Sequence, residues 1–252
     1  MGIINYLKNI YCGKDNILNN IILFSLSGIW AISWGKCCAH YLNSFYFGYL
    51  PASEWVINIC TFLVIMISMY IPGYLYNYSH ILYKEESLLL PEVKMDAYLA
   101  FFKMIPILLF WGINITILVF LGLILFNIQE DFIKMMLYYV LLGCLIPFIN
   151  VLYVLYSKKF ETSMYLYNPI NLFKILHKTF VPVVILTAKC AIILGIIFVI
   201  LYKLFVISNN VANTNLQHAM RLLFLTCCIY FANTVNLINI QGIVEITKSE
   251  DL

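Results

Sequence analysis

From Asn168 to Lys203 the sequence reads NPINLFKILHKTFVPVVILTAKCAIILGIIFVILYK, and this segment decides the fold class. Asn168 can cap a helix, and Pro169 suits the first helical turn, where a missing N–H group costs no hydrogen bond. A short helix with an apolar face and a basic face follows. An apolar run long enough to cross a bilayer comes next. The segment therefore predicts a helical membrane protein.

The composition of the whole chain supports the same class. Hydrophobic residues make up 63% of the 252 residues and charged residues 11%, whereas soluble domains average about 45–50% apolar and about 25% charged residues. We expect one membrane bundle without a separate soluble domain. The net charge of +3 is spread thinly, without the basic stripe that nucleic-acid binding requires, so nucleic acid is excluded as a partner.

Six apolar runs have the length of a membrane span, at about residues 17–34, 55–76, 104–126, 132–156, 180–206 and 222–244. Ile71-Pro72-Gly73 is predicted to end the second run, and a polar link to begin at Asn77. Two-faced helices at residues 3–12, 92–103 and 170–179 precede the first, third and fifth runs. The predicted fold is all-α, with six transmembrane helices in three hairpins, each preceded by a cytoplasmic amphipathic interfacial helix.

Two further patterns concern symmetry and orientation. An internal repeat with a period near 75 residues is predicted from recurring pairs: Pro72 and Pro147, Tyr78-Ser79 and Tyr156-Ser157, Lys103 and Lys178, Pro106 and Pro182. Basic residues concentrate at the two ends and in the second and fourth links, and the positive-inside rule then places both termini in the cytoplasm. Ten lie on that side: Lys8, Lys14, Lys84, Lys94, Lys103, Lys158, Lys159, Lys174, Lys178 and Lys248. Four lie opposite: Lys36, Lys134, Lys203 and Arg221.

Several short motifs resemble a family of uncharacterised bacterial and archaeal membrane proteins with a domain of unknown function. They are Gly73-Tyr74-Leu75, Lys84-Glu85-Glu86, Leu90-Pro91-Glu92, and Tyr156 with Phe173 and Leu176 in the second basic link. This family is distantly similar to the membrane domain of some glycerophosphodiester phosphodiesterases. Val93-Lys94-Met95 departs from the acidic-aromatic segment typical of the family. The resemblance implies six spans and supplies no catalytic residues.

Lys189 is an ionisable residue inside the fifth apolar run, where a charge at the bilayer centre costs about 2.5–3.5 kcal/mol. No carboxylate lies in the middle of any predicted span to pair with it. Amides and a hydroxyl in other spans are candidate partners, and the asparagines of the sixth run form a polar arc about 120° wide. These residues are Asn114, Thr116, Asn150, Asn233, Asn236 and Asn239.

Two interpretations of these polar residues remain open. Lys189 and the asparagines line a site for an anion or a lipid headgroup, or the asparagines cross-link helices while the lysine extends to the membrane surface. If Lys189 lines a cavity, we expect it to hydrogen bond with Asn233 or Asn236. Candidate contacts for lipid headgroups on the surface helices are Lys8, Lys103, Lys174 and Lys178.

Motifs for catalysis, metals or cofactors are missing from the sequence. Cys37-Cys38 with His40 fits no zinc spacing, and there is no phosphate loop, nucleophile elbow or HExxH pattern. We therefore predict that the protein is not an enzyme and binds no cofactor or metal. An intramembrane lipid enzyme would need clustered acid, base or metal ligands.

The first functional hypothesis is a transport-related or accessory subunit embedded in a prokaryotic cytoplasmic membrane, because the polar groups lie in the spans. The alternative is a structural membrane organiser that binds anionic lipid through its surface helices. The expected partners are the lipid bilayer and anionic headgroups. Assembly with a second copy or with another membrane protein is compatible with both hypotheses.

Overall fold

The computed structural model describes residues 3–12, 14–41, 53–84, 90–125, 148–152, 154–158, 164–211 and 213–249. These residues form helices and short connections, and none of them lies in a strand. In chain order the helices are α1 (Ile3–Tyr11), α2 (Lys14–Tyr41), α3 (Glu54–Lys84), α4 (Asp96–Leu125), α5 (residues 148–152 and 154–158), α6 (Met164–Tyr167), α7 (Pro169–Asn209) and α8 (Thr214–Ser249).

Five of these helices, α2, α3, α4, α7 and α8, are long and apolar enough to cross a membrane. Their outer faces carry large apolar side chains, among them Trp55, Phe62 and Ile196, which are 80%, 59% and 57% exposed. Contiguous apolar surface of this kind is unusual in water, whereas a bilayer covers it. The all-helical architecture therefore fits an integral membrane protein.

Helix α8 packs against α1, α2, α3 and α7. It runs antiparallel to α7, because Gly242 lies opposite Leu186 at one end and the Phe224 and Phe205 rings are 5.3 Å apart at the other. Every residue of α8 from 237 to 244 is buried. Polar groups in this stretch must therefore find hydrogen-bond partners inside the protein.

Helices α3 and α4 approach most closely at Gly73. A Cβ atom placed on Gly73 would lie 1.7 Å from the carbonyl oxygen of Ala97, so only glycine fits at this crossing. Beside it, the rings of Tyr70 and Tyr98 pack edge to face with centroids 5.2 Å apart. The small residue lets the two backbones touch, which is how helices commonly pack within membranes.

Helix α1 packs along the C-terminal half of α8, from Glu245 beside Tyr6 to Thr234 beside Tyr11. The Tyr6 hydroxyl donates a hydrogen bond to the Glu245 carboxylate, with 2.6 Å between the oxygens. The Asn20 side chain donates to the carbonyl of Ile10 at 2.9 Å and so pairs one of the open carbonyls at the end of α1. The beginning of α1 and the C-terminal end of α8 therefore lie at the same end of the bundle.

Helices α2 and α3 are longer than the predicted spans. Helix α3 continues to Lys84, so the prediction that Ile71-Pro72-Gly73 ends it and that a link begins at Asn77 is wrong. Pro72 removes only one backbone hydrogen bond, and buried Tyr78 and Leu82 hold the last turns against the bundle. Helix α2 likewise continues past the predicted end at Trp34 to Tyr41.

The predicted interfacial helices at residues 92–103 and 170–179 are not separate elements. The first belongs to α4, which is continuous from Asp96 to Leu125, and the second to α7, which is continuous from Pro169 to Asn209. Pro106 and Pro182 lie inside these helices without ending them. Helix α1 is separate, as predicted, but its Tyr6 and Ile10 side chains are buried against protein.

The predicted fourth span, residues 132–156, lies mostly outside the described residues, as does the turn before it. Its described end is α5. The Tyr156 hydroxyl donates to the carbonyl of Lys103 at 2.7 Å, and the rings of Phe148 and Trp111 lie 5.7 Å apart. These two contacts make α5 antiparallel to α4.

Candidate functional site

Polar side chains lie buried on opposite sides of α8, which packs against α3 and α7. Asn239 and Gln241 of α8 are 5% and 2% exposed, and the Gln241 amide donates to the Tyr78 hydroxyl of α3. The Asn239 side chain projects about 160° away from that of Gln241 around α8. Thr187, whose hydroxyl oxygen is buried, belongs to the neighbouring α7. We call Tyr78, Thr187, Asn239 and Gln241 the polar seam.

Three buried atoms of the polar seam have no hydrogen-bond partner among the residues that the structure describes: Thr187 Oγ1, Asn239 Oδ1 and Gln241 Oε1. If the Gln241 amide is flipped so that its nitrogen and oxygen exchange places, one of these two atoms is still unpaired, because the Tyr78 hydroxyl bonds with only one of them. An unpaired polar atom is costly in a hydrocarbon environment. The seam therefore has hydrogen-bonding capacity to offer to water or to a polar ligand.

Lys189 does not line the polar seam. Thr187 and Lys189 are two residues apart on α7, so their side chains project about 160° apart. Lys189 instead lines a cleft of about 390 Å³ between α1 and α7, which we call the α1–α7 cleft. The cleft is lined by Ile3, Ile4, Tyr6, Pro182, Ile185, Leu186 and Lys189.

The expected hydrogen bond from Lys189 to the asparagine arc is not formed. Lys189 is exposed, and within the described part of the chain it has neither a hydrogen bond nor an ion pair. Asn233 is half-buried with its Nδ2 atom buried and unpaired, and Asn236 is exposed. Asn239 is the buried member of the arc, and its Oδ1 atom has no hydrogen-bond partner among the described residues.

The two remaining asparagine candidates lie elsewhere. The Asn114 amide donates to the carbonyl of Phe110 on its own helix at 2.7 Å. Asn150 is half-buried on α5. The side chain of Thr116 lies outside the described residues. The buried polar side chains of these packed helices therefore include Thr187, Gln241 and Tyr78 besides Asn239, and those three were not predicted.

Tyr6 and Glu245 form a second polar contact that the sequence analysis missed. Burial and the neighbouring Glu245 carboxylate raise the pKa of Tyr6. Its phenol is therefore protonated at neutral pH and donates to the carboxylate. The available signal was the spacing of Ile3, Tyr6 and Ile10 on one helical face. Ile4, the neighbour of Ile3 on this helix, is 81% exposed.

The four lysines predicted to contact headgroups all have exposed side chains: Lys8, Lys103, Lys174 and Lys178. Lys174 and Lys178 lie one turn apart on α7, whereas Leu172 and Ile175 of the same turns are buried. This end of α7 is thus basic outside and apolar inside.

No group of three or more His, Cys, Asp or Glu side chains that could hold a metal ion occurs among the described residues. Cys37 lies 3.5 Å from the Thr61 hydroxyl, which is a contact between α2 and α3.

No family model, curated protein or solved structure matches the chain. The resemblance to an uncharacterised six-span family therefore stays a prediction.

Proposed function

We propose that this protein is a transport-related or accessory subunit embedded in the membrane and that it works through the polar seam. The supporting observation is the set of buried, unpaired atoms on Thr187, Asn239 and Gln241 within helices of spanning length. Helices that only needed to hold together would be better stabilised by paired or apolar contacts, because an unpaired buried polar atom opposes folding. Water or a polar ligand in the seam would pair these atoms.

The proposed architecture has six spans, with both termini on the cytoplasmic side of a prokaryotic membrane. Three observations support it: the contact of Tyr6 with Glu245, the antiparallel packing of α5 on α4, and the lysine asymmetry of the sequence. The proposed repeat is supported by Ser79 and Ser157, which are equivalent positions in it and hydrogen bond with each other.

Thiol labelling tests whether the seam is hydrated. We expect Asn239→Cys, in a background without the eight native cysteines, to react with a water-soluble thiol reagent in membrane vesicles. Leu237→Cys is the matched control, because Leu237 is 1% exposed on the same helix. Apolar burial raises a thiol pKa, and each unit lowers the reactive thiolate about tenfold. We therefore expect the control to react at least about tenfold more slowly.

Equal, slow reaction of both cysteines would contradict the proposal, because the seam would then be a dry cross-link between helices. If Asn239→Cys reacts, reconstitution into vesicles separates the two roles. Flux of small solutes through the isolated protein indicates transport. Hydration without flux indicates an accessory subunit.

The second candidate function is a membrane organiser that binds anionic lipid at its surface. The observation favouring it is the exposed pair Lys174 and Lys178 on the face of α7 opposite its buried apolar residues. A lysine near an anionic membrane surface contributes about 1 kcal/mol of attraction.

Neutralising one of these lysines tests the organiser. We expect Lys178→Gln to lower the selectivity for spin-labelled phosphatidylglycerol over phosphatidylcholine by up to about fivefold, as loss of one such attraction implies. Lys203→Gln, on the opposite predicted side of the membrane, is the control and should change the selectivity little. An equal effect of both variants would show attraction by net charge alone and argue against a dedicated surface.

A further inference from the structure

The α1–α7 cleft combines one cation with apolar walls. Ile3 and Ile4 line it from α1, and Ile185 and Leu186 from α7. Lys189 is the one charged side chain among its described lining residues. Apolar walls with a single ammonium group match the chemistry of an amphiphile that has one anionic group and apolar chains.

The position of the cleft along α7 agrees with a lipid ligand. Helix α7 has 41 residues and is about 60 Å long, twice the thickness of a hydrocarbon layer of about 30 Å. The stretch from Pro182 to Lys203 is about 30 Å long, and most of its apolar side chains from residue 191 onward are exposed. If this stretch crosses the hydrocarbon, Pro182 lies at one edge of it and Lys189 about 10 Å further in, from where a lysine side chain can extend toward the phosphate headgroups.

The charge of Lys189 is not neutralised within the described protein. Its side chain forms no hydrogen bond or ion pair there, and Tyr6, which also lines the cleft, donates its hydroxyl to the Glu245 carboxylate. A lysine held within the hydrocarbon is stabilised by an anion. A phosphate beside Lys189, with acyl chains against the isoleucines, satisfies both parts of the cleft.

We propose that the α1–α7 cleft binds an anionic phospholipid, with the phosphate on Lys189 and the acyl chains on Ile3, Ile4, Ile185 and Leu186. This site is independent of the polar seam, because Lys189 and Thr187 lie on opposite sides of α7. A hydrated seam and an occupied cleft can therefore be tested separately.

The test is native mass spectrometry of the purified protein in a neutral detergent, titrated with phosphatidylglycerol or phosphatidylcholine. We expect Lys189→Met to weaken phosphatidylglycerol binding about tenfold, the effect of losing one charge-assisted contact. Lys189→Arg should retain binding. Lys203→Met is the matched control, because Lys203 is an exposed lysine on the same helix outside the cleft, and it should bind like the unaltered protein.

A variant of the cleft wall and a competitor without acyl chains distinguish lipid binding from binding of a free anion. Ile185→Ser keeps the charge and should weaken phosphatidylglycerol and phosphatidylcholine alike, since it alters only a wall. Glycerol phosphate, which has the phosphate without chains, should not compete at concentrations equal to those of the lipid. Full competition by glycerol phosphate would identify a site for free anions and overturn the lipid assignment. Equal loss in Lys189→Met and Lys203→Met, or loss in neither, would also overturn it, provided that both variants unfold at the temperature of the unaltered protein.

Discussion

Replacing Gly73 with alanine is expected to destabilise the protein by about 3 kcal/mol or more, the upper part of the range for overpacked cores. The added Cβ atom would lie 1.7 Å from the Ala97 carbonyl oxygen and 2.7 Å from its carbonyl carbon. Both obstructing atoms belong to the backbone, so no side-chain rotation can make room and α3 must move away from α4. Thermal unfolding in detergent, followed by loss of the monodisperse protein, measures the effect.

Two other glycines supply graded controls for this prediction. Gly195 has nothing within 4 Å of an added Cβ atom, so Gly195→Ala should be neutral or stabilising by up to about 1 kcal/mol. A Cβ atom added to Gly242 would clash with the side chain of Leu186, and that side chain can rotate, so Gly242→Ala should have an intermediate effect. If Gly73→Ala unfolds at the temperature of the unaltered protein, α3 and α4 do not cross as described.

The class of fold was predictable because hydropathy is a local property. A run of about 20 apolar residues predicts a membrane helix wherever it occurs, and α2, α3, α4, α7 and α8 all correspond to predicted spans. The ends of the helices were less predictable. Helix α3 continues past Asn77 because Tyr78 and Leu82 are buried by neighbouring helices, and that packing is not encoded in the segment itself.

The candidate site was only partly predictable for the same physical reason. Asn239 was identified because an amide in an apolar run is conspicuous, but Gln241 pairs with Tyr78, 163 residues away. A sequence pattern does not specify which helices are neighbours. Lys189 was also conspicuous, yet its side chain projects from the opposite side of α7 to that of Thr187, into the α1–α7 cleft. The sequence spacing along one helix does not show which helix lies on which side of it.

Replacing Tyr6 with alanine is expected to release α1 while the remaining helices stay folded. Tyr6 is 4% exposed, and removing a buried aromatic ring typically costs about 3–5 kcal/mol. Helix α1 has nine residues, fewer than the roughly 12–15 that an isolated helix needs in water. Once this contact is lost, the anchors left to α1 lie at its end, at Ile10 and Tyr11, and we expect them to be too few to keep its first turns helical. Hydrogen–deuterium exchange should show rapid exchange in residues 3–11 and unchanged protection in residues 237–244 of α8.

Two variants separate the ring of Tyr6 from its hydroxyl. Tyr6→Phe keeps the packing and loses the bond to the Glu245 carboxylate, worth about 1.5–3 kcal/mol for a charged acceptor, so α1 should exchange at an intermediate rate. Ile4→Ala, at a position 81% exposed on the same helix, should leave α1 protected. Loss of protection in α1 and α8 together would contradict local release, because α1 would then unfold only with the whole bundle.

The Tyr6 hydroxyl also predicts how the protection of α1 depends on pH. Burial, and then the Glu245 carboxylate, raise the pKa of Tyr6 above its ordinary value of about 10. A raised pKa means that folding favours the protonated phenol, so the contribution of Tyr6 is fully present below about pH 10 and is lost as the pH rises through the higher pKa of the folded protein. Exchange in α1, corrected for its intrinsic pH dependence, should be constant through the neutral range and accelerate only in strong alkali. Tyr6→Phe should lack the alkaline step, because phenylalanine has no proton to lose; an alkaline step that persists in Tyr6→Phe would assign the titration to another group.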